Sequence, residues 1–258
     1  MFGLNEFVAT YGLAATLGAT FAMAAGGFAK GVVGFALPLV GVSIAGSFVP
    51  FEVAVALLIV PMLVSNFVQS LRGGIGPALV SIWRFRLMLA ILTVTIALTA
   101  QVVVLLPEQV LFAGLGLVIS GFAALQLAGW RPHFPDHHRR LVEGAVGLVS
   151  GVLGGLTGVW GPPLVMYMIT LDMPKTEMVR VQSLSFLIGS VVLFAAHLHS
   201  GVLDATTLPA SIWMTVPTMV AMFVGYAVHD RLDQDVFRRA TLIVLILTGL
   251  NLLRRAVF

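Results

Sequence analysis

The chain is a succession of long uncharged stretches separated by short polar connections. Such stretches occupy residues 88–107, 109–130, 144–171, 181–203 and 240–253. Several of them approach the roughly 20 apolar residues that a helix needs to cross about 30 Å of hydrocarbon. A membrane β-barrel would instead show segments of about 10 residues with alternating polarity. The pattern therefore predicts an all-α polytopic membrane protein.

Composition agrees with this pattern and excludes several classes of function. Only 10% of the 258 residues are charged, against about 25% in soluble domains. The sequence has no cysteine, which excludes disulfides, thiolate nucleophiles and cysteine metal sites. The net charge of +3 comes from arginines in short clusters between apolar stretches. Membrane topology explains such clusters better than binding to nucleic acid does.

A repeat is visible when the chain is shifted against itself by 124 residues. The shift superposes Gly27, Gly31, Gly34 and Pro38 on Gly151, Gly155, Gly158 and Pro162. The same shift places Pro50 on Pro174. We therefore expect two homologous transmembrane halves, residues 1–130 and 142–258, joined by a polar cytoplasmic linker at 131–141.

Basic residues indicate that the two halves have opposite orientations, because short cytoplasmic loops collect Lys and Arg. The connection at 72–86 is basic, whereas its mate near 197–211 holds no Lys or Arg. The connections around 48–52 and 107–109 hold none, whereas their mates are basic. The basic residues concerned are Arg72, Arg84, Arg86, Lys175, Arg180, Arg231, Arg238 and Arg239. This pattern predicts inverted-topology repeats, with the N-terminus outside.

Opposite orientation requires each half to cross the membrane an odd number of times. We therefore predict that each half is a glycine-broken helical hairpin followed by three transmembrane helices. The expected helices lie near 7–25, 32–47, 53–71, 87–106 and 109–130, and again near 142–154, 159–171, 179–198, 210–229 and 239–253. The second hairpin has only about 31 residues, so its legs are short for a full crossing. Re-entrant legs and fully crossing legs both satisfy the topology.

The glycine motifs themselves suggest an anion site. Broken helices at the midplane of inverted-repeat transporters direct backbone N–H groups and positive dipole ends toward anionic substrates. Lys30, in "GGFAKGVVGFALPLV", would add a cation at the tip of the first hairpin, and its repeat mate is Gly154. The candidate binding residues in the two motifs are Lys30, Gly31, Gly34, Gly155, Thr157, Gly158 and Trp160. The alternatives are close helix packing for the glycines and snorkelling to the aqueous surface for Lys30.

Polar residues on the helices after the hairpins provide further candidates. Asn66 and Gln69 are spaced i,i+3 and share a helical face, and Gln182 and Ser183 hold comparable places in the second half. Polar groups inside a membrane usually face the bundle or a cavity. Hydrogen bonding between helices is the alternative for each of them.

Histidine offers a proton-coupling candidate and no metal site. His197, near the end of its predicted span, titrates close to neutral pH and is a candidate for proton coupling, although an interfacial histidine is the alternative. His133, His137 and His138 lie in the polar linker without a clear ligand set, and we interpret them as solvated. We expect no metal and no cofactor.

The arrangement "GFAKGVVGFALPLV" in one half and "GVLGGLTGVWGPPLV" in the other, each followed by a proline-marked connection and a polar-faced helix, resembles the sulfite exporter TauE/SafE family. The resemblance covers essentially the whole chain. It implies a multi-pass inner-membrane secondary transporter that exports a sulfur-containing anion such as sulfite, sulfoacetate or another organosulfonate.

The remaining alternatives concern the mode of action and the oligomeric state. An anion channel is the closest rival of a transporter. An intramembrane enzyme is less well supported, because the sequence has neither a GxSxG elbow nor a paired-histidine metal motif, and we expect no catalytic residue. Glycine-rich faces would serve a homodimer as well as internal packing.

Overall fold

The computed structural model describes residues 2–99, 108–130, 136–157, 160–199 and 203–257. Every regular element within these ranges is helical, which confirms the predicted all-α class. The helices are α1 (Phe2–Tyr11), α2 (Leu13–Val33), α3 (Leu37–Ala45), α4 (Phe51–Ser70), α5 (Ile75–Arg84), α6 (Arg86–Thr99), α7 (Glu108–Leu127), α8 (Arg139–Thr157), α9 (Gly161–Thr170), α10 (Lys175–His199), α11 (Thr207–Arg231) and α12 (Gln234–Val257). A short 3-10 helix, Asp136–His138, precedes α8.

Long apolar helices are present in both halves. Among the described residues, three helices are long and apolar enough to cross a membrane: Leu13–Val33, Val53–Ser70 and Thr207–Arg231. The consecutive helices α5 and α6 are bent by 78° and together make a fourth candidate. These findings support a multi-pass membrane protein.

The chain divides into two compact units, and each unit takes residues from both halves of the sequence. The first unit comprises residues 1–72 and 186–232, and the second comprises residues 73–185 and 233–258. The predicted division at 131–141 concerns the repeats and stays a prediction. Residues 139–141 of that linker are helical and belong to the start of α8.

In the first unit, α2 packs along α11 and against α3, and α11 also packs on α4. Buried apolar residues of all four helices form its core, among them Met23, Leu37, Leu57 and Met214. Small residues allow the close approach of α2 and α11. A Cβ on Gly27 would lie 2.3 Å from the carbonyl oxygen of Thr218.

In the second unit, α8 packs along α6, and α7 packs along α12. Glycines again permit these contacts. A Cβ on Gly151 would lie 2.5 Å from the Cβ of Thr95, and one on Gly116 would lie 2.7 Å from the carbonyl oxygen of Gly249. Each unit thus brings the helix that carries a glycine motif against a helix from the other half of the sequence.

The break after the first glycine motif lies further along the chain than we expected. Helix α2 continues to Val33, and Gly34 caps it with φ 96°, donating its N–H to the carbonyl oxygen of Lys30 at 2.7 Å. Helix α3 then begins at Leu37 with a proline in its first turn. The predicted legs at 7–25 and 32–47 were therefore wrong at their inner ends. Gly27 and Gly31 stay helical because they pack against α11, and only Gly34 adopts the left-handed conformation.

The basic connection at 72–86, expected to be a loop, contains helix α5. Gly73 and Gly74 turn the chain with φ of 94° and 100°, and Phe85, fully buried, marks the corner between α5 and α6. Apolar residues within the connection make this helix favourable next to lipid.

Candidate functional site

Lys30 is a buried lysine inside helix α2. It lies in the last turn of the helix, and 1% of its surface is exposed. Its Nζ donates a hydrogen bond to the side-chain oxygen of Asn66 on α4. Both the expected position at a hairpin tip and the snorkelling alternative are therefore wrong, because the ammonium points into the first unit rather than toward water.

Asn66 and Gln69 share one face of α4, as their spacing predicts. Both side chains are fully buried. Gln69 donates from Nε2 to the backbone carbonyl oxygen of Lys30 at 3.5 Å. Lys30 therefore contacts Asn66 through its ammonium and Gln69 through its backbone. Arg72, which would extend this face, instead binds both carboxylate oxygens of Asp230 through Nη2, at 2.5 and 2.6 Å.

Ser190 on α10 completes the cluster, and sequence reasoning missed it. The side-chain nitrogen of Asn66 donates to Ser190 Oγ at 2.9 Å, and that hydroxyl donates to the carbonyl oxygen of Phe186. The Phe186 ring lies under the Lys30 ammonium at 5.8 Å from its centroid, within the range of a cation–π contact. A signal was available, since Ser190 lies 124 residues after Asn66 and is its repeat mate.

The charge of this cluster is unbalanced. Among the described residues, the ion pairs involve Arg72, Arg84 and Arg139, and Lys30 forms none. Burying a charge is costly unless it is paired. A buried ammonium that has only neutral hydrogen-bond partners therefore gains from the arrival of a small anion.

The glycines of the first motif have structural roles in this geometry. A Cβ on Gly31 would lie 2.3 Å from the carbonyl oxygen of Met222 on α11, so Gly31 permits helix packing, as the packing alternative holds. Gly34 is buried and caps α2. A role of either glycine in binding stays a prediction.

The second motif is described only in part. Gly158 and the side chains of Thr157 and His197 lie outside the described residues, and Gly155 is described only as part of helix α8. Trp160 precedes α9 and is 4% exposed. Roles of these residues in binding or proton coupling therefore stay predictions.

Gln182 and Ser183 are fully buried on α10. Ser183 donates its hydroxyl to the carbonyl oxygen of Val179, one turn earlier, at 2.7 Å. The side-chain amide of Gln182 forms no hydrogen bond with the described part of the chain. Of this pair, Gln182 has the free hydrogen-bonding capacity that a ligand requires.

The linker histidines do not assemble a metal site in the part of the chain that the structure describes. His137 and His138 are exposed, with ring centroids 3.8 Å apart, and His133 lies outside the described residues. No group of three His, Asp or Glu side chains among the described residues is placed to hold a metal ion.

Comparison with known proteins identifies the family. The sulfite exporter TauE/SafE family profile matches residues 19–252, nearly the whole chain. Neither the curated proteins nor the solved structures gave a match. Members of this family are membrane transporters of sulfur-containing anions rather than enzymes, in agreement with the apolar helices described above. The chain belongs to the sulfite exporter TauE/SafE family.

Proposed function

We propose that this protein is a secondary transporter that exports a small sulfur-containing anion, such as sulfite, sulfoacetate or another organosulfonate, through a site at Lys30. The observation that carries the proposal is the burial of Lys30 with a neutral amide as its side-chain hydrogen-bond partner. An anion at the ammonium would compensate a charge that the described residues leave unpaired.

The chemistry of the cluster suits an oxyanion. Sulfite and sulfonate oxygens accept several hydrogen bonds, which an ammonium and the side-chain amides of Asn66 and Gln69 can donate. Loading would require the Lys30 ammonium to turn from the side-chain oxygen of Asn66 toward the anion. The Asn66 nitrogen, which donates one hydrogen to Ser190, would donate its second hydrogen to the anion. An inside-negative membrane potential favours outward movement of an anion by about 2.3 kcal/mol per charge per 100 mV. Export by uniport is therefore energetically downhill at equal concentrations.

We also propose that the two halves are inverted-topology repeats, each beginning with a glycine-broken hairpin. Two observations support this. The motif helix α2 packs on α11, and the motif helix α8 packs on α6, which are the exchanged partners in the repeat alignment. In addition, the repeat mates Asn66 and Ser190 are hydrogen-bonded to each other, as residues close to a pseudo-two-fold axis would be.

The second half is proposed to contribute its own motif to a midplane site. Gly155, Thr157, Gly158 and Trp160 would line it, and Gln182 would donate its amide. Alternating exposure of the site would follow from movement of one repeat against the other. Proton coupling through His197, an outside N-terminus in an inner membrane and a homodimer stay predictions.

The experiment is a ligand screen followed by a flux assay. Detergent-purified protein is heated with sulfite, sulfoacetate, taurine, sulfate, thiosulfate or chloride, because a ligand of the native state stabilises it by mass action. We expect a dose-dependent rise of the melting temperature that is limited to sulfur oxyanions. Folded protein that responds equally to chloride, or to no anion, would contradict the proposed substrate class.

Reconstituted vesicles then separate the transporter from the channel. A transporter is expected to show efflux of the stabilising anion that saturates with concentration. Unitary electrical currents far above transporter turnover would instead establish an anion channel.

A further inference from the structure

A cleft outside the Lys30 cluster lies between the corner of α5 and α6 and the start of α8, within the second unit. Its volume is about 600 Å³. The lining includes Trp83, Arg84, Arg86, Arg139, Arg140 and Glu143. Four arginines against one carboxylate make this cleft strongly basic.

Two of the four arginines are already neutralised. Arg139 donates from Nε to Glu143 at 2.8 Å, and Arg84 donates from Nη1 to Glu177 at 2.7 Å. Arg86 and Arg140 form no ion pair with any described residue. They leave two positive charges facing the cleft, which is the charge pattern of an anion-binding site.

The rim of the cleft has the character of a membrane interface. Trp83 is 70% exposed, and the guanidinium of Arg86 lies 4.1 Å from the centre of its ring. Tryptophan is enriched at the level of lipid headgroups, where one part of its ring is apolar and another part is polar. Helix α5, which carries Trp83, also exposes the large apolar side chains of Ile75, Leu79, Val80 and Ile82.

We propose that this cleft binds the headgroup of an anionic phospholipid. Arg86 and Arg140 would bind the phosphate, Trp83 would cover the glycerol, and the exposed apolar side chains of α5 would contact the acyl chains. Basic pockets beside transmembrane helices are suited to such headgroups. The exposed apolar rim distinguishes a lipid from a free inorganic anion as the occupant, because a free anion gains nothing from Trp83 or α5.

The first test compares ligands by thermal unfolding of the detergent-purified full chain. Short-chain phosphatidylglycerol is expected to raise the melting temperature, whereas phosphatidylcholine and inorganic phosphate are not. The double variant Arg86→Gln with Arg140→Gln should need about 30-fold more phosphatidylglycerol for the same shift, since each arginine near a lipid surface contributes about a factor of five. The control pair Arg231→Gln with Arg254→Gln, outside the cleft, should respond like the wild type.

A second test does not depend on the folding of the arginine variants. Brominated lipid quenches tryptophan fluorescence on contact, so brominated phosphatidylglycerol should quench the wild type more than brominated phosphatidylcholine does. Trp83→Phe should remove this difference. Equal quenching by the two lipids, a difference that survives in Trp83→Phe, or stabilisation by inorganic phosphate equal to that by phosphatidylglycerol would each overturn the proposal.

Discussion

The repeat mates Lys30 and Gly154 occupy equivalent places in the two motifs but have different surroundings. Lys30 in α2 is buried and donates to Asn66. At Gly154 in α8, a Cβ would lie 2.9 Å from the Cβ of Trp160 and 3.2 Å from Cγ1 of Ile96. A lysine at 154 would have to displace an aromatic and an aliphatic side chain. The repeat therefore preserves the backbone of the motif without duplicating its charge.

The repeat mates Gly27 and Gly151, in contrast, have the same structural role in both halves. Gly27 packs against the backbone of Thr218, and Gly151 packs against Thr95. Each glycine brings its helix close to a helix from the other half of the sequence. Helix packing is thus common to both halves, whereas the buried lysine at Lys30 has no counterpart at its repeat mate Gly154. The proposed anion site would be asymmetric even though the fold is repeated.

The largest effect is expected from removing the charge that distinguishes the halves. Lys30→Met keeps the length of the side chain and removes the ammonium. We expect it to weaken binding of the stabilising sulfur anion by about 30-fold or more, because losing one partner of a buried charged hydrogen bond costs about 2–5 kcal/mol. Titration of the melting temperature with the anion measures the change.

The matched control uses the other lysine of the sequence, Lys175, at the start of α10. Lys175→Met removes the same charge from a partly exposed site, and its anion affinity should stay within about twofold of the wild type. Without ligand, Lys30→Met should change the melting temperature little, since the removal of a costly buried charge offsets the loss of the donor to the Asn66 oxygen. Unchanged affinity in folded Lys30→Met would remove Lys30 from the binding site.

The next largest effect should be shared by the two halves. Gly27→Ala and Gly151→Ala would place a methyl group 2.3 and 2.5 Å from the nearest atom of the neighbouring helix. An ordinary contact is about 3.5–4.0 Å, so the helices must separate. We expect each substitution to lower the free energy of unfolding by about 1–3 kcal/mol. Thermal or denaturant unfolding in detergent measures the loss.

Gly76→Ala is the control, because a Cβ at Gly76 would meet no atom within 4 Å. Its stability should equal or slightly exceed that of the wild type, since alanine is the better helix former. If only one of the two motif glycines proves sensitive, the common packing role of the repeat is contradicted.

A smaller effect tests the contact between the repeat mates Asn66 and Ser190. Ser190→Ala leaves the side-chain nitrogen of Asn66 without its acceptor inside the first unit, which we expect to cost about 1 kcal/mol. Ser185→Ala is the matched control, because Ser185 is equally buried on the same helix and donates only to the carbonyl oxygen of Val181. If the two variants have equal melting temperatures, the bond between the mates contributes nothing measurable.

The sequence predicted the helical class and the shared face of Asn66 and Gln69, because the length of the apolar stretches and the residue spacing determine these features directly. The family followed from the resemblance of the duplicated glycine motifs. It did not predict which glycine ends α2. Gly31 and Gly34 are the same residue type, and the contact with α11 is what keeps one of them helical. The same lack of tertiary information placed Lys30 at a hairpin tip. Ser190 was missed although the repeat offset of 124 residues relates it to Asn66.

The smallest effect concerns the connection that precedes α11, the helix against which α2 packs. Helix α11 is continuous, and the Asp204 carboxylate before it accepts the backbone N–H groups of Thr207 and Thr206 at 2.7 and 2.8 Å. These bonds, above all the one from Thr207, lower the pKa of Asp204. In the other half, helix α5 begins after Gly74, which has no side chain that could accept from the first turn. Only the connection before α11 should therefore stabilise its helix in a pH-dependent way.

Asp204→Ala should lower stability by about 1 kcal/mol at about pH 7, because the backbone N–H groups of Thr206 and Thr207 lose their side-chain acceptor. Since the folded-state pKa lies below the ordinary value of about 3.9, the contribution is complete above that value and is lost as pH falls through the lowered pKa. The gap between wild type and Asp204→Ala should thus persist at about pH 5 and narrow below about pH 4. Asp204→Asn, which keeps an acceptor oxygen without the charge, should show a gap to the wild type that also closes below about pH 4. A gap for Asp204→Ala that is the same at every pH would mean that the carboxylate charge adds nothing to the cap.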